Sequence, residues 1–210
     1  MLKVRDQHNH AIEGNYQIVR QMFHHSGSFL RLKELLVHLQ DFHSLIIQHN
    51  NPAYRDGLIQ QLHTSPPNQQ VLDLKELGDF HAFEQRIANL EKRPASLHVI
   101  NLESLDDNTR QAFFRGINYH REYIARQLNA TRVIWVIESQ IRDIALHAAD
   151  FWAWREQVLD FSLPDEITKV LTEEQNKFRE LAKEHPDDTD KLQDRAIRQW
   201  LIWEENTPQE

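Results

Sequence analysis

The sequence predicts an α/β domain: a mostly parallel five-stranded sheet covered by helices on both faces. Three observations predict it. Five short apolar runs recur along the chain, with amphipathic helical stretches between them, and this alternation produces crossovers and parallel pairing. Two of the runs, "SLHVINL" (96–102) and "RVIWVI" (132–137), are β-branched and almost continuously apolar, as inner strands buried on both faces must be. The length, 210 residues, suits one sizeable core with a small appendage and not two full domains.

Taken in order, residues 1–28 have no firm hydrophobic period, contain four histidines and read as a flexible or partner-ordered arm. The α/β domain spans 29–162 and opens with an amphipathic helix, "FLRLKELLVHLQD" (29–41). "FHSLII" (42–47) is the first strand and "AYRDGLIQQL" its helix, with Pro52 suited to a helical first turn. "QQVLDL" (69–74) and "DFHAFEQRIANLEK" follow, then the third strand. "DDNTRQAFFRGINYHREYIARQL" reads as one long helix with an N-cap in Asp106 to Asn108 and an apolar face of Phe113, Ile117, Ile124 and Leu128. After the fourth strand, "QIRDIALHAADFWAWR" reads as another helix, and "QVLDF" (157–161) closes the sheet. Residues 163–210 read as a helical hairpin turning at "HPDDTD" (185–190), with Ile167, Val170, Leu171, Phe178 and Leu181 on the first apolar stripe. Leu192, Ala196, Ile197, Trp200 and Trp203 form the second stripe.

Composition narrows the function. Hydrophobic residues at 40% and charged residues at 27% are ordinary for a soluble globular protein, and no apolar run approaches the roughly 18 residues of a membrane span. The N-terminal "MLKVRDQHNHAIEG" has no apolar signal core, so cytoplasmic residence is the expectation. The absence of cysteine excludes disulfides, zinc-thiolate sites, iron-sulfur clusters and cysteine nucleophiles. A net charge of −8 argues against general nucleic-acid binding, which needs clustered Lys and Arg. From Leu163 onward there are 13 acidic and 7 basic residues, so −6 of that charge lies in the C-terminal segment and the sheet domain is nearly neutral.

The turn between the first strand and its helix, Gln48 to Arg55, lies where nucleotide-hydrolysing proteins hold a phosphate. There, glycines let backbone N–H groups close on the phosphate, a Lys neutralises it and a Ser or Thr holds magnesium. Here Asn50-Asn51-Pro52 replaces the glycines, no Gly-Lys pair follows, and Gly57 falls inside the helix. At the end of the third strand Asn101 and Glu103 stand near the places of a magnesium-binding and a water-activating carboxylate, but Asn is a poor magnesium ligand and the two are not adjacent. The layout of a nucleotide switch is present without its chemistry.

On "FLRLKELLVHL", "FHSLIIQHNNPAYRDGLIQQL", "HVINLESL", "AFFRGINYHREYIARQL", "RVIWVIES" and "AADFWAWREQVLDF", about residues 29–162, the chain resembles the inactive STAND-type, AAA-like P-loop domain of bacterial signalling and anti-phage conflict proteins. That domain commonly precedes tetratricopeptide repeats. The resemblance implies a P-loop-NTPase-like sheet in the order 5-1-4-3-2 and a domain that senses or scaffolds without hydrolysis. A single hairpin in place of the repeats and effector favours a subunit working with separately encoded partners.

The expected function is therefore non-catalytic: a protein-interaction, scaffold or sensor subunit with no cofactor, no metal and no catalytic residue. The alternative is a nucleotide-binding switch without hydrolysis, using Asn50, Asn51, Arg55, Asn101, Glu103 and Ser139. A remote alternative is a histidine-dependent nuclease or other hydrolase. "HNH" at His8 to His10 has neither the separated spacing of nuclease ligands nor an i, i+4 helical pair, so it reads as polar arm. In "FWAWR" (151–155), Phe151 and Trp152 are expected to pack their helix on the sheet. "RQWLIWEE" near the C-terminus is read as a docking surface for another protein subunit, the segment's acidic charge favouring a basic one, with Trp200, Trp203, Leu201 and Phe178 as its contacts.

Overall fold

The computed structural model describes residues 25–39, 42–62, 68–165 and 167–169. The apolar runs form five strands, β1 (Ser44–Gln48), β2 (Gln69–Asp73), β3 (Ser96–Ile100), β4 (Thr131–Val136) and β5 (Arg155–Asp160). They pair in the order β2-β3-β4-β1-β5, and every pairing is parallel. This is the 5-1-4-3-2 order implied by the resemblance, a P-loop-NTPase-like arrangement. β3 and β4 are buried at every position because helices cover both of their faces, and β1, also internal, is buried from Ser44 to Ile47.

Alternation along the strands feeds two cores. Leu45, Ile47, Val133 and Trp135 point to one layer, made by α1 (helical over residues 25–38) and α2 (Pro52–Leu62), where Leu32, Leu36, Leu58, Ile59 and Leu62 meet them. Ile46, Ile134 and Val136 point to the other layer, built by α4 (Phe80–Ala88), α5 (Asp107–Tyr119), α6 (Arg121–Leu128), α7 (Glu138–His147) and α8 (Ala149–Ala153). A one-turn helix, α3 (Leu74–Leu77), links β2 to α4. The predicted face of Phe113, Ile117, Ile124 and Leu128 is fully buried here.

Both long helices read from the sequence are broken. α5 stops at Tyr119 and α6 begins after His120, with Gly116 in the last turn of α5 lying under the Phe80 ring. A Cβ at 116 would stand 2.4 Å from Phe80 Cγ, so the aromatic side chain takes space only a glycine leaves. The second break falls at Ala148, where φ is −137° and ψ 50°. Beyond it the Phe151 N–H, in the first turn of α8, has no helical acceptor and donates to Asn118 Oδ1 at 2.9 Å. A tertiary contact accompanies each break, Phe80 against Gly116 at the first and Asn118 to Phe151 at the second.

The arm assigned to residues 1–28 also needs correction. Residues 25–28 belong to α1, and His25 is buried, its Nδ1 3.0 Å from the Tyr54 hydroxyl and its ring against Phe161. An anchored imidazole extends the helix into what reads as polar arm. Residues 1–24 and the hairpin stripe beyond Lys169 lie outside the described residues. The described residues up to Pro164 belong to one compact unit, Asn15–Pro164.

A polar chain crosses the α1/α2 side of the sheet. Trp135 Nε1 donates to His98 Nδ1 at 3.1 Å, which places the imidazole proton on Nε2, 3.0 Å from Gln69 Oε1. Gln69 Nε2 in turn donates to the Leu62 carbonyl at 2.6 Å. β4, β3, β2 and the end of α2 are thereby connected through buried side chains.

Candidate functional site

In an open parallel sheet, ligands meet the loops beyond the carboxyl ends of the strands, so the site is sought at the β1–α2 turn and the exits of β3, β4 and β5. The helix start at α2 is already used. Asn51 caps it, accepting the Tyr54 N–H on Oδ1 at 2.9 Å, and Pro52 contributes no N–H. Few backbone donors remain there for an anion.

Arg55, one turn into α2, is fully buried. Its Nε donates to Asp56 Oδ1 at 2.9 Å and its Nη1 to Glu103 Oε1 at 3.2 Å. Glu103 comes from the 3-10 turn Leu102–Ser104 that follows β3 and keeps 24% of its side chain exposed. The guanidinium is thus matched by two carboxylates from its own chain, and burial of this kind requires that compensation.

Asn50 turns outward from the same loop. Its Nδ2 donates to the Leu163 carbonyl at 2.7 Å and its Oδ1 accepts the Leu163 N–H at 2.8 Å, so the carboxamide grips the chain just past β5. Asn101 adopts the left-handed conformation, φ 63°, and donates to Asp73 Oδ1 at 2.8 Å, tying the end of β3 to the end of β2. Ser139 is exposed near the start of α7.

Of the six residues marked for a nucleotide, then, the structure joins Arg55 and Glu103 to each other, commits Asn50, Asn51 and Asn101 to protein partners, and brings Ser139 to none of them. The partner-binding set Trp200, Trp203, Leu201 and Phe178 lies outside the described residues.

Two residues at this edge escaped the sequence reading. His49 is 1% exposed and packs edge-on against Trp135. Burial first, and then the Arg55 charge, push its imidazole down to about 4, against an opposing effect of the Asn51 main chain. Neither ring nitrogen reaches a partner in full hydrogen-bonding geometry among the described residues. Gln140, also buried, accepts the Ile137 N–H on Oε1 at 3.1 Å and caps α7 from inside. The turn itself was singled out from the sequence, and the position of His49 directly before Asn-Asn-Pro was the signal that could have added this residue to it.

A second cluster sits at the opposite end of the strands. Arg132, fully buried in β4, donates to Ser44 Oγ from Nη2 at 2.8 Å and lies over the rings of Phe151, 4.3 Å, and Phe42, 5.0 Å. Phe42 meets Trp154 edge-on, and Arg121 stands 5.4 Å over Trp154. Arg132 has no carboxylate within ion-pair distance among the described residues, and burial pushes it down to about 9, still charged at neutral pH.

Among the described residues no group of three or more His, Cys, Asp or Glu could hold a metal ion, and no helix is long and apolar enough to cross a membrane. No protein-family model matches the chain, and no curated protein matches it. Among solved structures it is similar to a structure of Drosophila ORC bound to DNA, at 14% identity and a TM-score of 0.49. The match covers 75% of this chain and spans only 33% of that one. The fold assignment rests on the strand order and pairing above.

Proposed function

We propose that the chain is a non-catalytic protein-interaction subunit, a scaffold or sensor, of the kind found in bacterial defence and signalling systems. One observation carries this reading: the Arg55 guanidinium, at the helix where a phosphate would be bound, is neutralised by Glu103 and Asp56. A γ-phosphate approaching this edge meets carboxylates, a capped helix and, among the described residues, no lysine, so the positive charge of Arg55 is already matched before an anion arrives.

The test is a thermal-shift and phosphate-release measurement with ATP, GTP and their magnesium complexes. No release and no shift are expected. A ligand at 100 times its Kd would add about 2.7 kcal/mol of stability, an effect too large to miss. A shift without release would favour the nucleotide-binding switch, and release abolished by changing residues 50 to 56 would sink the non-catalytic reading. Docking is tested by recovery of a partner from the native host with the Trp200→Ala, Trp203→Ala double variant. Loss of the partner with the circular dichroism spectrum unchanged is expected; unchanged recovery would remove these tryptophans from the interface.

A further inference from the structure

The β1–α2 turn holds polypeptide. β5 runs alongside β1 up to the Gln48–Asp160 pair, and the Phe161 N–H then donates to the Gln48 carbonyl at 2.9 Å. Beyond that point β1 has ended, and side chains take over its pairing role. Gln48 Nε2 donates to Ser162 Oγ at 3.0 Å, and the Asn50 carboxamide meets both the N–H and the carbonyl of Leu163. A carboxamide offers the same donor and acceptor as a peptide group, so one Asn can stand in for a strand residue; a lysine or glycine here could not. Pro164, lacking an N–H, ends the series.

We propose that this turn is a main-chain clasp closed on the chain's own residues 161–163, and that the strap so held opens as a unit, separately from the sheet. Phe161 and Leu163 are buried and seat the strap, whereas Asn50 is exposed and its two hydrogen bonds can exchange with water. Release of the clasp frees the direction in which the chain leaves the sheet after Leu163. The clasp is a conformational device and operates whether or not a nucleotide or partner binds.

Residue-resolved amide exchange on the full chain tests it, comparing the wild type with Asn50→Ala and Gln48→Ala. Each variant is expected to speed exchange at Phe161, Ser162 and Leu163 together, by roughly tenfold, while Val99 in β3 and Ile134 in β4 keep their rates. The decisive responses are the remote ones, Leu163 in Gln48→Ala and Phe161 in Asn50→Ala, because neither amide bonds to the side chain removed. A response confined to Leu163 in Asn50→Ala overturns the proposal. So does no response, or an equal rise at Val99 and Ile134.

Discussion

Two arginines are buried at opposite ends of the same sheet, and they are compensated by different chemistry. Arg55, beyond the carboxyl end of β1, has two carboxylates. Arg132, near the amino end of β4, has a serine hydroxyl and the faces of two phenylalanines. Opposite charge offsets desolvation directly and keeps the group hydrogen-bonded; a ring quadrupole offsets less of it but allows an apolar core to close around the cation. The first arrangement uses up a place where this fold could meet an anion, and the second uses up none. The two ends therefore hold a buried cation in different ways, one through carboxylates and the other through a hydroxyl and aromatic faces.

The largest effect that could break this contrast is at the amino end. Phe151→Ala removes a fully buried ring and one of the two faces over Arg132, and is expected to cost about 3–5 kcal/mol in chemical denaturation. A loss below about 1 kcal/mol would mean that the ring does not hold the cation.

The second effect is a pH dependence set by His49 at the carboxyl end. Its folded value of about 4 lies below the unfolded 6.5, so between these limits the unfolded chain binds a proton that the folded chain does not. Stability from this source is fully present above about 6.5, declines as pH falls and levels off below about 4, a loss of about 3 kcal/mol at about 1.36 kcal/mol per unit. Because other groups titrate too, the measurement is the difference between wild type and His49→Leu across that window. Parallel curves would place the imidazole in water.

Smaller still is Glu103→Gln, which leaves Arg55 with Asp56 and a neutral acceptor. With a quarter of Glu103 exposed, about 1–2 kcal/mol of destabilisation is expected. A cost greater than that of Phe151→Ala would reverse the ranking of the two ends. The smallest effect is Arg132→Met, expected to change stability by less than about 1 kcal/mol, since a buried charge with no ionic partner among the described residues returns little for its desolvation. A loss above about 3 kcal/mol would show that the aromatic faces compensate as fully as carboxylates do.

The sheet was legible because burial on both faces leaves continuous apolar runs at "SLHVI" and "RVIWV", and Asp106 and Pro52 announced their helix starts. The breaks at His120 and Ala148 were not, because they depend on Phe80 over Gly116 and on Asn118 reaching Phe151 from 33 positions away. Arg55 and Glu103 were both marked, yet as ligands of a third party; nothing in a linear reading says that charges 48 positions apart belong to each other. Arg132 opens the apolar run read from the sequence but is the second residue of β4, and the rings that receive it come from the segment before β1 and from α8, far away in sequence.

The line of donors from Trp135 through His98 and Gln69 to the Leu62 carbonyl also bears on how the strands find their alignment. An indole can only donate, so polarity along the line runs one way, and its three side chains sit on three different strands. Sliding β3 by one residue would offer Trp135 a Leu97 or Val99 side chain and turn His98 to the opposite face, stranding an indole N–H and a carboxamide without water. Apolar neighbours such as Leu97 and Val99 tolerate such slips, because one aliphatic contact resembles the next. The three polar side chains act as a key cut for a single alignment, penalising misfolded sheets more than they stabilise the correct one.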